Sequence, residues 1–209
     1  MYYRDGLYPL QEGGTLGAEA GGFVYDCEES LKNKWLNKKV VFFHIGCFAE
    51  YTSVPVAKLI EVPDDISIPS ALALTTMGLT AHYLCFSTYP IKKNDYVLVH
   101  AAGSGTGKLV VQVASKICGA NVVGTASTKK ISNVPLPRER VMDYTGFPTD
   151  LTSKLRALTP NNRGFDVVYD GVGKDTSNIT LESCRSRGMA VFFVEAVPTT
   201  FAPQIFDAT

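Results

Sequence analysis

The stretch from residue 96 to residue 126 constrains the fold of this chain most, because it has the pattern of a complete βαβ unit. Residues 96–101 form an apolar run typical of a buried strand, and a glycine-rich segment follows at residues 103–107. Apolar spacing over residues 108–117 predicts a helix, and residues 121–126 predict the next strand. A crossover of this length connects parallel strands. The chain should therefore contain a parallel sheet flanked by helices.

The same alternation continues towards the C-terminus. It predicts strands at residues 140–143, 165–170 and 189–194, and helices at residues 150–158 and 174–184. Between residues 131 and 138, where a helix is expected, Pro135 and Pro137 stand two positions apart, which a helix interior does not tolerate. We therefore predict an α/β fold with a doubly wound parallel Rossmann sheet over residues 71–209, in which the helix after the second strand is shortened or lost.

The first 70 residues have a different sequence pattern. Short extended runs at residues 21–25, 39–43 and 49–54 predict β-strands separated by turns. An apolar-periodic segment from Pro69 to Leu84, with Gly78 inside it, then predicts a helix. We expect a β domain at residues 1–70 that precedes the Rossmann domain.

Charge and cysteine content exclude several functional classes. The 20 basic and 20 acidic side chains cancel, so nothing favours binding to nucleic acid or to an anionic membrane. No apolar run approaches the roughly 18 residues that a membrane-spanning helix needs. Scattered cysteines and histidines without a CxxC pair argue against a zinc cluster and for reduced, mostly buried thiols in the cytoplasm. The five cysteines are Cys27, Cys47, Cys85, Cys118 and Cys184.

The glycine-rich segment predicts a nucleotide site because a strand precedes it and a helix follows it. Small residues let a pyrophosphate approach the backbone, and the start of a helix offers unpaired N–H groups. A cluster of turn glycines without a ligand is the structural alternative. A phosphate-binding loop of the NTPase type is excluded, since Ala102 stands at its first glycine and Leu109 replaces the magnesium-binding hydroxyl. The predicted pyrophosphate-binding residues are Gly103, Ser104, Gly105, Thr106 and Gly107.

The residues after the second strand predict which dinucleotide binds. Sites that select NAD have a carboxylate there, which accepts hydrogen bonds from the ribose hydroxyls. This chain has Ser127, Thr128, Lys129 and Lys130 instead, and two ammonium groups suit a 2′-phosphate. The segment therefore favours NADPH, although a charged loop in solvent would have the same composition.

Longer blocks of sequence resemble one family. Residues 78–84, 96–102 and 165–176 are similar to the zeta-crystallin-like quinone oxidoreductases of the medium-chain dehydrogenase/reductase superfamily, and residues 4–9 and 16–21 match their pattern too. This resemblance implies a partial GroES-like domain before the Rossmann domain. It also implies a zinc-free reductase that transfers a hydride from NADPH to a quinone or related enone. The triplet Gly17-Ala18-Glu19 lacks the histidine of the zinc-dependent relatives.

The resemblance also implies roles for individual residues. Thr80 would contact the nicotinamide end, and Gly171 and Val172 would pass under its ribose. Ser127, Lys129 and Tyr144 would surround the 2′-phosphate, with Lys130 beside them on the charge argument. Tyr2 and Tyr8 would line the quinone pocket, although a packing role for Tyr8 is nearly as plausible. No general acid or base is evident, so no catalytic residue is assigned.

The chain also departs from the family. The opening strands of the GroES-like domain and the portion after residue 207 are expected to be absent, including the edge strand through which the family forms homodimers. The strand at residues 189–194 would then be an open, apolar edge. Two hypotheses follow. The chain is an NADPH:quinone reductase, or it is a catalytically impaired or non-catalytic truncated remnant that retains nucleotide binding.

Overall fold

The computed structural model describes residues 13–146, 148–173 and 175–193. Its described residues divide into two compact units, an N-terminal unit up to Leu79 and a C-terminal unit from Thr80. The N-terminal unit has a three-stranded antiparallel sheet, and the C-terminal unit has a five-stranded parallel sheet. These sheets confirm the predicted class, a doubly wound Rossmann sheet preceded by a small β unit. The predicted division at residue 70 stays a prediction.

The N-terminal sheet is ordered β1-β2-β3, so β2 lies in its centre. Its strands are β1 (Glu19–Phe23), β2 (Lys39–Phe43) and β3 (Leu59–Glu61). The buried face of β2 packs on Trp35, which belongs to helix α1 (Glu29–Trp35). Helix α1 was not predicted, because its polar residues outnumber its apolar ones and only Trp35 is buried.

The strand predicted at residues 49–54 is wrong. That segment forms bends, and β3 pairs with β2 in its place. The Thr52 hydroxyl donates a hydrogen bond to the Gly46 carbonyl at 3.1 Å, which ties the segment back on itself. A segment held in such a local turn cannot extend along β2. The apolar alternation that suggested a strand instead exposes Tyr51, whose ring lies 5.5 Å from the ring of Tyr25.

The helix predicted between residues 69 and 84 is broken in the middle. It forms α2 (Ile68–Ala73), which Ser67 caps, and α3 (Thr76–Tyr83). The Glu19 carboxylate of β1 accepts hydrogen bonds from the Thr75 hydroxyl at 2.6 Å and from the Thr76 N–H at 3.1 Å. Burial raises the pKa of Glu19, but these hydrogen bonds outweigh it and hold the pKa below its ordinary value. A carboxylate at the first N–H groups of α3 favours a new helix start there.

The C-terminal sheet has the strand order β6-β5-β4-β7-β8, and all of its strands are parallel. The strands are β4 (Tyr96–Val99), β5 (Asn121–Ala126), β6 (Val141–Asp143), β7 (Phe165–Asp170) and β8 (Cys184–Phe192). The helices are α4 (Gly105–Gln112), α5 (Leu151–Arg156) and α6 (Ser177–Ser183). Val97 and Val99 pack into one apolar cluster and Leu98 into another. The central strand is thus buried on both faces, as its continuous apolar run predicts.

Two irregular segments of this unit bear on the predictions. A 3₁₀ helix, Thr128–Asn133, follows β5, which confirms that the region around Pro135 and Pro137 lacks the usual α-helix. Strand β8 begins earlier than predicted and bulges at residues 185–188, since Cys184 pairs with Phe165 but Met189 pairs with Val167. In the part of the chain that the structure describes, β8 pairs only with β7 and is a sheet edge. Val194, the predicted last residue of the strand, lies outside the described residues.

The five cysteines are all free, two of them buried and three partly buried. Within residues 13–146, 148–173 and 175–193, no group of histidine, cysteine and acidic side chains has an arrangement that could hold a metal ion. A search of the same residues finds no helix long and apolar enough to cross a membrane.

Candidate dinucleotide-binding site

The predicted cofactor residues of the C-terminal unit follow the carboxyl ends of four neighbouring strands. The glycine loop follows β4, Ser127 follows β5, Tyr144 follows β6 and Gly171 follows β7. The chain runs outward from β4 to β6 and then returns to β7 on the other side of β4. This reversal makes the carboxyl ends of β4 and β7 a topological switch point, where open α/β sheets bind their ligands.

Ser104 ends the glycine loop and begins helix α4. Its hydroxyl accepts a hydrogen bond from the Gly107 N–H at 3.1 Å, as an N-cap does. The turn predicted over residues 103–107 is therefore shorter than expected, since Gly105, Thr106 and Gly107 already form the first turn of α4. The N–H groups of Gly105 and Thr106 have no acceptor within a helix that starts there, which leaves them available to an anion.

Two glycines of the loop are required by close contacts. A Cβ on Gly107 would overlap the Ala101 carbonyl oxygen and lie 2.9 Å from the Ser104 Oγ. A Cβ on Gly103 would lie 2.7 Å from the Lys130 carbonyl oxygen. The loop thus packs directly on the 3₁₀ helix that carries the two predicted lysines.

Ala101 has a φ of 51°, in the left-handed region that a residue with a Cβ rarely adopts. The Ser104 N–H donates to the Ala101 carbonyl at 2.8 Å and holds this conformation. Such backbone strain is common at ligand sites.

The residues predicted to surround the 2′-phosphate are only partly brought together by the fold. Lys129 and Lys130 are exposed on the 3₁₀ helix, and Ser127 precedes it. The Tyr144 N–H donates to the Ala126 carbonyl at 3.2 Å, which places Tyr144 beside the end of β5. Its side chain packs on the core cluster around Leu98, so part of the ring serves the fold.

A carboxylate that the sequence reasoning missed lies in the same place. Asp143 is the strand partner of Ala126, the last residue of β5. Its carboxylate accepts hydrogen bonds from the Thr128 hydroxyl at 2.6 Å and from the Thr145 N–H at 2.8 Å. These bonds, the first of them above all, hold the pKa of Asp143 below its ordinary value. The segment after β5 contains no carboxylate of its own, but the sheet supplies one from β6.

The loop after β7 is fixed by Asp170. This fully buried carboxylate accepts hydrogen bonds from the N–H groups of Val172 at 2.8 Å and Gly173 at 3.0 Å. The hydroxyls of Thr176 and Thr180 donate to its Oδ2 at 2.7 and 2.6 Å. Asp170 therefore holds the loop that contains Gly171 and Val172 in one conformation.

His100 lies beneath the glycine loop and is fully buried. Its Nδ1 is 2.8 Å from the Thr125 hydroxyl, and its Nε2 has no hydrogen-bond partner. Burial lowers the pKa of His100 from 6.5 to about 4, despite the opposing charge of Asp170. The imidazole is therefore neutral at physiological pH.

We expect His100 to make the C-terminal unit sensitive to mild acid. Below about pH 6.5 the unfolded chain binds a proton that the folded chain takes up only near pH 4, so stability falls as the pH falls through this window. The loss should approach about 3 kcal/mol. Urea denaturation at several pH values between these limits measures it. His100→Gln should flatten the dependence, and the exposed His82→Gln should leave it unchanged. Equal slopes for wild type and His100→Gln would contradict the assignment.

For the remaining predicted site residues, the structure gives only the position of Thr80. Thr80 lies on α3 next to Ala81, which is buried in the core of the C-terminal unit. Tyr2 and Tyr8, the predicted substrate-binding residues, lie outside the described residues.

Comparison with known proteins finds relatives along most of the chain. Quinone oxidoreductase 1 of Escherichia coli is 34% identical over 199 residues, covering 92% of this chain and 59% of that protein. The 2-haloacrylate reductase of a Burkholderia species is 32% identical over 205 residues, covering 93% of this chain and 60% of that protein. No protein-family model matches the chain.

The comparison with solved structures finds the same kind of protein as the comparison of sequences. The Escherichia coli quinone oxidoreductase complexed with NADPH superposes with a TM-score of 0.83 at 30% identity, covering 96% of this chain and 62% of that chain. A Pseudomonas syringae quinone oxidoreductase gives a TM-score of 0.80 at 33% identity, covering 92% and 60%. The chain thus spans about 60% of the length of the curated relatives that it matches. By sequence and by fold, the chain is similar over more than nine tenths of its own length to proteins named quinone oxidoreductase.

Proposed function

We propose that this chain binds NADPH and belongs to a zinc-independent reductase that transfers a hydride from NADPH to a quinone or related enone. The observation that carries the proposal is the glycine loop at the switch point between β4 and β7, where Ser104 caps α4 and Asp170 fixes the opposite loop. Relatives named quinone oxidoreductase, one of them solved with NADPH, support the choice of cofactor and substrate class.

The residues present fit this cofactor. The loop of Gly103, Ser104, Gly105, Thr106 and Gly107 would hold the pyrophosphate, since its helix N-terminus offers N–H groups and no side chain larger than threonine. Ser127, Lys129, Lys130 and Tyr144 would surround the 2′-phosphate. Gly171 and Val172 would lie under the nicotinamide ribose, and Thr80 would contact the nicotinamide. Tyr2 and Tyr8 would line the quinone pocket.

The chemistry divides between cofactor and protein. When bound, NADPH would supply the hydride and its two electrons, which with one proton from solvent would reduce a quinone to hydroquinone and leave NADP⁺. The chain's own residues bind and orient the reactants: the loop after β4 fixes the pyrophosphate, and Asp170 keeps the loop after β7 rigid. No step in this scheme needs an ionisable side chain.

A direct assay tests the proposal. Purified chain is mixed with NADPH and a simple quinone such as 1,4-benzoquinone, and the absorbance of the reduced cofactor is followed. We expect a quinone-dependent fall in absorbance above the rate without protein. NADPH binding without turnover would instead support the non-catalytic hypothesis, and the absence of binding would overturn the proposal.

Neutralising the two lysines should change cofactor preference. If Lys129 and Lys130 face the 2′-phosphate, the double variant K129Q/K130Q should bind NADPH about tenfold or more weakly, because each charge-assisted bond contributes about 1.5–3 kcal/mol. NADH binding should change little. The matched control is K92Q/K93Q, which neutralises two exposed lysines before the amino end of β4. An equal loss for both nucleotides would show that the lysines act on the fold.

We further propose a cytoplasmic location, supported by the five free cysteines, because such thiols persist in reducing compartments. We also propose that this chain forms the homodimer of the family; among the described residues β8 is a sheet edge on which a second subunit could pack.

A further inference from the structure

Asp143 places a negative charge where the proposed 2′-phosphate site needs positive charge. It pairs with Ala126 at the carboxyl end of β5, and its Oδ2 lies 2.6 Å from the Thr128 hydroxyl. Thr128 is the first residue of the 3₁₀ helix that carries Lys129 and Lys130. Asp143 and the two lysines therefore belong to one short stretch of the chain's surface.

The Asp143 carboxylate is ionised at neutral pH and keeps its charge. Its described partners, the Thr128 hydroxyl and the N–H and hydroxyl of Thr145, are neutral donors. No ion pair among the described residues includes Asp143, and the guanidinium of nearby Arg138 donates to the Val141 carbonyl instead. The positive charge of Arg138 also helps to lower the Asp143 pKa, so the carboxylate stays ionised and can interact with whatever binds after β5.

Asp143 brings a carboxylate from β6 to the end of β5, the second strand of this Rossmann unit. A carboxylate beside the end of the second strand accepts hydrogen bonds from the ribose hydroxyls of NADH, and it repels the phosphate that NADPH carries in the same place. Lysines on the neighbouring turn have the opposite preference. A site with both kinds of charge discriminates weakly between the two nucleotides.

We propose that Asp143 is a specificity-determining residue that weakens binding of the 2′-phosphate and lets the site accept NADH alongside NADPH. The inference rests on the proposed nucleotide site and goes beyond it, since the lysines alone would give a strong preference for NADPH. Asp143 acts on the nucleotide through its charge, and its hydrogen bond to Thr128 sets where that charge lies.

The test is a titration of NADPH and NADH into wild type and Asp143→Asn. Asparagine keeps the shape and one acceptor oxygen but removes the charge. We expect NADPH to bind about three- to tenfold more tightly and NADH about as much more weakly, as loss of a nearby like charge and of a charged acceptor predicts. Raising the salt concentration should shrink the NADPH gain, because ions screen exposed charges.

Thr128→Val separates this role from a structural one. It removes the hydroxyl that bonds to Asp143 but leaves the carboxylate charged, so it should not raise NADPH affinity. If Asp143 merely held the 3₁₀ helix in place, both variants would weaken both nucleotides alike, and that result would overturn the inference. Thermal melting of both variants confirms that the fold is retained.

The outcomes also separate this inference from the proposed function. Wild type that binds NADPH and NADH, with an unchanged affinity ratio in Asp143→Asn, overturns the assignment of Asp143 alone. Wild type that binds neither nucleotide, nor 2′,5′-ADP as a probe of the phosphate pocket, overturns the proposed function and this inference with it.

Discussion

Replacing Gly107 with valine should destabilise the chain by about 3 kcal/mol or more and abolish measurable NADPH binding. The new Cβ would overlap the Ala101 carbonyl oxygen, which is a backbone atom and cannot rotate away. Relief would require α4 to shift from the end of β4, and the shift would break the hydrogen bond from the Gly107 N–H to Ser104. Urea denaturation measures the first effect and nucleotide titration the second.

The matched control for this substitution is Gly22→Val. A Cβ on Gly22 meets no atom within 4 Å, and the residue lies on strand β1 in the N-terminal unit. Valine is favoured in strands, so the change in stability should stay within about 0.5 kcal/mol. A Gly107→Val chain that unfolds like wild type and binds NADPH normally would show that the loop does not have the described conformation.

Removing the Asp170 carboxylate should have the second large effect. In Asp170→Ala, the N–H groups of Val172 and Gly173 and the hydroxyls of Thr176 and Thr180 all lose a buried acceptor. The Thr176 hydroxyl can still donate to the Gly173 carbonyl at 3.1 Å, but each of the other three donors left unsatisfied costs about 1–3 kcal/mol, so the total loss should reach about 4 kcal/mol or more. Because stabilities are about 5–15 kcal/mol, this variant should unfold at much lower urea concentration or not fold at all.

Two further variants keep this prediction testable. Asp170→Asn retains one acceptor oxygen and should lose about half as much stability as Asp170→Ala. Asp150→Ala removes an exposed carboxylate that pairs with Lys154 at 2.7 Å, and it should cost less than about 1 kcal/mol. Equal small losses at positions 150 and 170 would contradict the role assigned to Asp170.

The sequence predicted the central strands well because their burial leaves a clear pattern. Strands β5 and β7 have the predicted bounds, and β4 begins at the predicted residue. Each lies inside the parallel sheet and packs apolar side chains on both faces, so a short run of consecutive apolar residues marks it. Pro135 and Pro137 likewise excluded a helix by local sterics alone.

Features that depend on contacts between distant residues were not predictable in this way. The break between α2 and α3 is stabilised by Glu19, which lies more than 50 positions earlier in the chain. Asp143 reaches the end of β5 only through the pairing of β6 with β5, and no local pattern gives that register. Helix α1 buries only Trp35, so it has almost no apolar periodicity to detect.

The N-cap at Ser104 could have been found. A serine before a glycine-rich helix start is a recognised N-cap signal, and it would have moved the start of α4 to Gly105. The prediction of a loop as far as Gly107 did not take this signal into account.

Calorimetric titration of NADPH into wild type and Gly105→Asp tests the central claim most directly. Gly105 is exposed in the first turn of α4, where an aspartate stabilises a helix, so any loss of binding would not come from unfolding. A carboxylate there would repel a pyrophosphate that approaches the helix N-terminus. We predict saturable binding to wild type and about a hundredfold or greater loss in Gly105→Asp. Equal affinity in the two proteins would show that this loop is not the phosphate site.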